Sequence, residues 1–277
     1  MKPINFPEFS VLMSLYDKES PVYLEECLNS LYLQSVQADE IVIVFDGPLP
    51  SSLINVVESW KSKVSIREVK IHQNVGLGKA LNIGLKECKY ELVARMDTDD
   101  ICNKDRCKKQ LSLFVNNSDI SICGSYIDEF VDNKLNVINQ RKVPITSDVI
   151  YQKCSKSNPF NHMTVMYKKS DIINSGSYQH LPWMEDWYLW LRLLAKGYKG
   201  QNINESLVYA RVGNDMLGRR SGFQYIKSEW LLTKVKLSLK LTNIFSAILI
   251  FLIRSIPRLF PKFLLAKVYS FSRRNNG

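Results

Sequence analysis

The chain has 277 residues, 45% of them hydrophobic, which suits one enzyme-sized domain with an appendage. Its formal net charge of +10 is unevenly held: from Gly218 onward twelve basic residues face one acid, Glu229, while the first 217 residues are close to neutral. The six scattered cysteines lack the spacing of a zinc knuckle or a redox motif, and the opening MKPINFPEFS has no charged-then-apolar signal segment; reduced thiols in a cytoplasmic protein are therefore expected.

In chain order, apolar runs of strand length alternate with amphipathic helical stretches. FSVLMSL (9 to 15) reads as a buried strand, and PVYLEECLNSLYLQ (21 to 34) as a helix with Pro21 in its first turn and Leu24, Leu28 and Leu31 on one face. EIVIVFDG (40 to 47) is a second strand, SLINVVESWKSK (52 to 63) a helix and VSIREVKI (64 to 71) a third strand. LGKALNIGLKECK (77 to 89) is a helix and YELVARMD (90 to 97) a fourth strand. This alternation predicts an α/β fold with a doubly wound, mostly parallel sheet.

Parallel sheets bind ligands beyond the carboxyl ends of their strands. Tyr16 and Asp17 follow strand one, Asp46 strand two, Asn74 and Gly76 strand three, and Asp97, Asp99 and Asp100 strand four. Three carboxylates within four positions repel one another unless a cation sits among them. Oxygen-only ligands select a hard divalent ion, Mg²⁺ or Mn²⁺, with positions left open for phosphates. A calcium loop needs a further acid and a glycine where Ile101 and Cys102 stand, and a phospho-aspartate phosphatase carries its motif on the first strand. A metal bridging a diphosphate is the expectation; acids capping the helix of KDRCKKQLSLF are the alternative.

Five segments in order, SVLMSLYDKESPVYLEECLNSLYLQS, EIVIVFDG, NVGLGKALNIGL, ARMDTDD and WMEDWYLWLRLLAKG, resemble the inverting glycosyltransferases of family 2, which have the GT-A fold; they span roughly residues 9 to 200. NVGLGKALNIGL alone fits neither a dinucleotide fingerprint nor a P-loop. The resemblance implies that Asp46 binds the uracil ring, that Ser14 and Tyr16 line the nucleoside pocket with Asn74 and Gly76, that Asp97 and Asp99 carry the metal and diphosphate, and that Arg95 and Asp100 flank the sugar.

In LPWMEDWYLWLRLLAKG, Trp187, Trp190, Leu191 and Leu194 fall on the buried side of a helix that opens with Glu185 and Asp186. As first-turn acids these need no function, but Asp186 matches the base of the family's E-D motif, with Glu185 beside it. Inversion at an anomeric carbon needs one carboxylate to take the acceptor hydroxyl proton. His162, Trp183 and Arg211 are candidate acceptor contacts, with a purely structural histidine as the alternative at His162. The family often has a metal-reaching histidine in the loop here written YARVGNDMLGRRSG (209 to 222); none is present, so a part for Arg211, Arg219 or Arg220 stays open beside plain solvated charge.

The tail LTNIFSAILIFLIRSIPRLFPKFLLAKVYSFSRR has an uncharged apolar run from Leu241 to Ile253, short of the roughly 20 residues that span a bilayer. Arg254, Arg258, Lys262 and Lys267 recur among Leu, Phe and Ile, the pattern of a helix on an anionic membrane surface and not of a nucleic-acid arm. Residues 1–217 are thus expected to form a catalytic domain (about 9–100 for the nucleotide sugar, 101–217 for the acceptor), and 218–277 a basic amphipathic helical tail on the inner face of the cell membrane. By resemblance the function is metal-assisted, inverting transfer from a nucleotide sugar, UDP-hexose favoured, to a sugar on a polyprenyl diphosphate in surface-polysaccharide synthesis, giving a β linkage. A membrane-bound sugar-nucleotide sensor has no need of both D-x-D and E-D, and a nucleotidyltransferase wants a glycine-rich basic signature near its N-terminus that VLMSLYDKESP lacks.

Overall fold

The computed structural model describes residues 6–213 and 222–259, so Arg219, Arg220, Lys262 and Lys267 lie outside the described residues. The first half runs β1 (Phe9–Leu15), α1 (Pro21–Tyr32), β2 (Glu40–Asp46), α2 (Ser51–Trp60), β3 (Ile66–Ile71), α3 (Leu77–Glu87) and β4 (Leu92–Arg95). The second runs β5 (Ile101–Cys102), α4 (Arg106–Asn116), β6 (Ile120–Phe130), β7 (Asn139–Arg141), α5 (Ser147–Lys153), β8 (Met166–Lys168), α6 (Lys169–Asn174), α7 (Glu185–Ala195) and β9 (Lys199–Arg211), followed by α8 (Phe223–Ser238) and α9 (Ile244–Ser255).

One sheet carries the strands in the order β3-β2-β1-β4-β8-β6-β9-β5, with β7 on β6. β1, β2, β3 and β4 are mutually parallel, so their carboxyl ends share one rim. β8 then runs antiparallel to β4, and β6 pairs parallel with β9. β1 is central and buried on both sides, which is why it reads as a mostly apolar run broken only by Ser10 and Ser14. Its alternate residues enter two cores: Phe9, Val11, Met13 and Leu15 meet α1 and α2, and Leu12 meets α3 and α7 on the opposite face. Gly84 brings α3 down onto the sheet, where a Cβ would stand 2.4 Å from Val44 and 2.5 Å from Leu12. All six cysteines are buried free thiols.

α8 and α9 pack against the body. The Lys236 ammonium lies 4.0 Å from the Trp187 ring centre and the Arg254 guanidinium 4.6 Å from it, while Arg258 stacks over Tyr225 at 3.9 Å. Glu229, 1% exposed, accepts a hydrogen bond from Arg254 Nε at 2.8 Å and faces Arg258 Nη2 at 3.5 Å. This corrects the expectation of Arg254 and Arg258 as a membrane-facing stripe. A buried carboxylate left unpaired is costly, and the acid of α8 turns both arginines inward. Burial, with the Arg254 charge beside it, pushes the Lys236 amine down to about 7. The outward side of α9 is apolar: Phe245, Leu249 and Ile253 are 84%, 58% and 62% exposed. Among the described residues no helix is long and apolar enough to cross a membrane.

Removing the acid should strand its arginines. Glu229→Ala is expected to lower the unfolding free energy by on the order of 3 kcal/mol, read from urea titration of the full chain; an unchanged midpoint would mean that the α8–α9 pairing contributes nothing.

Candidate active site

The rim holds two cavities. The smaller, about 400 Å³, is lined by Tyr16, Asp17, Lys18, Asp46, Gly47, Pro48 and Asn74. Asp46 ends β2, and its carboxylate accepts the backbone N–H groups of Val75 at 2.7 Å and Gly76 at 3.1 Å, while Asn74 Nδ2 donates to the Asp46 carbonyl at 3.1 Å. Asp46 therefore fixes the loop that starts α3, which Gly76 enters at φ 85°. Ser14 is half-buried on β1 and, like Gly76, lines neither cavity.

The larger cavity, about 1370 Å³, brings together Arg95, Asp97, Asp99, His162, Trp183, Glu185, Asp186 and Arg211. Arg95, 2% exposed, closes a bidentate pair with Asp97, donating from Nη1 to Oδ2 at 2.6 Å and from Nη2 to Oδ1. Beneath it the buried Arg106 donates from Nη2 to the Arg95 carbonyl at 2.7 Å. Asp100 is sealed under the rim, accepting the Arg211 backbone N–H at 2.8 Å, and its Oδ2 has no partner. Burial first, then the charges of Asp97 and Asp99, raise its carboxyl well above the usual range. Burial, then the charges of Asp97 and Glu19, push Asp99 up to about 7.

These residues fit a divalent ion. Asp99 has no protein cation paired with it among the described residues, and its stressed, oxygen-only environment is what a hard cation relieves. Among the described residues no three His, Cys, Asp or Glu side chains gather in a closed cage. Two carboxylates with open positions instead match an ion that also needs substrate phosphates.

On the facing wall α7 opens with Glu185 and Asp186. Asn158 Nδ2 donates to Asp186 Oδ2 at 2.7 Å. Burial raises the Asp186 carboxyl, with the Trp187 N–H and Asn158 holding it back; burial raises Glu185 also. Gly78 on α3 admits α7 closely, since a Cβ there would stand 3.4 Å from Glu185.

His162 Nε2 lies 2.8 Å from the Tyr178 hydroxyl, and burial with the nearby Arg95 charge drives its imidazole well below the usual range, so it is neutral at pH 7. Trp183 takes the left-handed conformation at φ 65° and stacks on Tyr225 with ring centres 5.9 Å apart. Such backbone strain in a bulky residue marks a site that holds its side chain for use. Arg211 lines the same cavity, with its guanidinium turned toward protein partners. Its Nε donates to the Asp99 carbonyl at 3.1 Å, Nη1 to the Val131 carbonyl at 3.2 Å and Nη2 to Glu26, with the ring of Tyr23 3.8 Å away. It braces the acidic loop.

Sequence reasoning missed Asn158 and Arg106. Both act on partners remote in the chain, and the only local signal was Asn158 preceding a proline at the entry to a buried segment.

A family model described as glycosyl transferase family 2 matches residues 10–173. The chain is 42% identical to the amylovoran biosynthesis glycosyltransferase AmsE of Erwinia amylovora, with 96% of this chain and 99% of that one covered. It is 39% identical to the UDP-Gal:alpha-D-GlcNAc-diphosphoundecaprenol beta-1,3-galactosyltransferase of Escherichia coli, over 80% of this chain and 81% of that one. Among solved structures, the mannosyltransferase PcManGT of Pyrobaculum calidifontis in complex with GDP-Man and Mn²⁺ aligns with a TM-score of 0.62 at 16% identity, over 98% of this chain and 81% of that one, which speaks for the fold. The chain belongs to glycosyl transferase family 2, and it is a glycosyltransferase with the GT-A fold.

Asn158 favours the charged form of Asp186, so its loss lets the carboxyl rise further. With the deprotonated carboxylate as the active form, Asn158→Ala should shift the acid limb of kcat/KM to higher pH; an unmoved limb with a uniform loss of rate would make Asn158 purely structural.

Proposed function

We propose that this chain transfers a hexose from a UDP-sugar to a sugar carried on a polyprenyl diphosphate, with inversion, at the inner face of the cell membrane. The observation that carries the reading is that Asp97 and Asp99 on one wall and Asp186 on the other line the same cavity. The Escherichia coli relative, named for a UDP-galactose donor and a diphosphoundecaprenol acceptor, supports the substrate classes.

In this reading the smaller cavity takes the nucleoside, with Asp46, Tyr16 and Asn74 about the base and Ser14 and Gly76 behind them. Asp99 and Asp97 would hold Mn²⁺ or Mg²⁺, which supplies charge neutralisation to the diphosphate leaving group. Arg95 keeps Asp97 in one orientation through the bidentate pair, and Asp100, sealed below, sets the loop through the Arg211 N–H. Trp183 offers its exposed ring as a platform for the acceptor sugar, and the neutral His162 offers a hydrogen bond beside it. Asp186, held by Asn158, takes the acceptor hydroxyl proton as that oxygen attacks opposite the departing diphosphate. Its raised affinity for protons suits that role near neutral pH. Glu185 stands by as a second carboxylate. The residues given roles here belong to the body before about residue 217, while Tyr225, Arg254 and Arg258 complete the lining of the larger cavity. The apolar side of α9 is fitted to an interfacial membrane contact, with Phe245, Leu249 and Ile253 one helical turn apart.

Chelation with EDTA should abolish transfer and Mn²⁺ or Mg²⁺ should restore it, whereas Asp99→Ala should stay inactive at any metal concentration; full activity in chelator would remove the metal from the account. Asp186→Asn should bind UDP normally and lose about 10² to 10⁴-fold in turnover, the usual worth of a general base. Retained turnover would transfer the role to Glu185. Leu249→Glu with Ile253→Glu should weaken binding of the full chain to vesicles in flotation assays, and equal flotation would show that α9 faces something other than lipid.

A further inference from the structure

The large cavity has a second charged wall that neither the donor nor the base accounts for. Lys142, Lys153 and Lys156, all exposed, line it from the segment around α5. Among the described residues none of them makes an ion pair. Of the carboxylates that line the same cavity, Asp97 faces Arg95 and Asp186 faces Asn158, and among the described residues none forms an ion pair with the three lysines. Lys156 precedes Asn158 by two residues, so the two Cα atoms lie within about 7 Å of one another. Asn158 donates to Asp186, so the lysine-bearing segment runs next to the proposed base.

The segment that carries the wall also adjoins the helices that follow the body. The Trp187 indole donates to the Cys154 carbonyl at 2.8 Å, between Lys153 and Lys156, and the other side of that ring faces Lys236 and Arg254 of α8 and α9. Resting on the reading of the chain as a transferase to a lipid-linked sugar, we propose that Lys142, Lys153 and Lys156 form a second anion site that holds the diphosphate of the acceptor, separate from the metal-assisted site for the donor diphosphate. The ammonium groups are point charges with rotatable donors, suited to a phosphate chain that must slide into register and leave after transfer. They fix the acceptor by its anionic link, which allows the sugar itself to be read by Trp183 and His162.

Inorganic pyrophosphate in EDTA is the direct probe, because without metal the carboxylate wall repels it. Calorimetric titration of the full chain should show binding that falls about tenfold or more in the Lys153→Ala, Lys156→Ala double variant, the worth of one charge-assisted hydrogen bond, and is retained when both are changed to Arg. UDP affinity in Mn²⁺ serves as the folding control. Binding to phosphatidylglycerol vesicles should not follow the same substitutions, which separates an acceptor diphosphate from a lipid headgroup. In transfer assays the ratio of kcat/KM for an acceptor sugar on an alkyl diphosphate over the same sugar on an uncharged alkyl chain should fall about tenfold in the double variant. Equal pyrophosphate affinity in wild type and double variant, or equal losses on both acceptors, would overturn the site. Wild-type protein that transfers to neither acceptor would instead overturn the transferase reading, while the pyrophosphate titration still decides the anion site.

Discussion

Three carboxylates following one buried strand can be kept together only if positive charge and N–H groups are built around them. Arg95 forks onto Asp97 from inside the sheet, Arg106 holds the Arg95 carbonyl from the start of α4, and Arg211 at the end of β9 binds Asp99 and Asp100 through its Nε and backbone N–H. Arg211 also pairs with Glu26 on α1 and stacks over Tyr23. Four elements distant in the chain thus converge on one loop. What remains is an acidic wall stressed enough to favure a divalent ion and rigid enough to hold it in one place.

The opposing wall depends on that rigidity. α7 sits against α3 at Gly78, and its buried face of Trp187, Trp190, Leu191 and Leu194 fixes how far Asp186 projects toward the acids. Trp187 does more than fill the core. Its indole N–H holds the end of α5, while its ring takes the cations of α8 and α9. The helices that carry the exposed apolar surface are therefore linked, through the side chain of Trp187, to the start of α7 beside Asp186.

Much of this was legible in the chain because the first half obeys simple periodicities. β1 and β2 are mostly apolar runs, and their limits differ from the sequence expectation by at most a residue. Strand four was expected to run to Asp97 but stops at Arg95, since the chain must leave the sheet before its carboxylates can face the rim. The second half was harder to read. β7 and β8 are three residues each, too short to carry a period, and β9 has a polar stretch at Asn204–Glu205 with register shifts against β6. D-x-D and E-D were visible as local motifs, but the Asn158 contact with Asp186 spans 28 residues and Arg106 reaches Arg95 through a fold, so neither leaves a local pattern. Composition misled at Arg254 and Arg258: a basic stripe looks the same in sequence whether it faces lipid or a single buried acid, and Glu229 decides between them.

The central claim is a single displacement, with leaving diphosphate on the acidic wall and one carboxylate on the other. The anomeric configuration of the product tests it most directly. Proton NMR of the transferred sugar, from an α-linked UDP-hexose donor, should show the large axial–axial anomeric coupling of a β-galacto or β-gluco linkage. An α-linked product would require a second nucleophile or a front-face route, and would contradict the account.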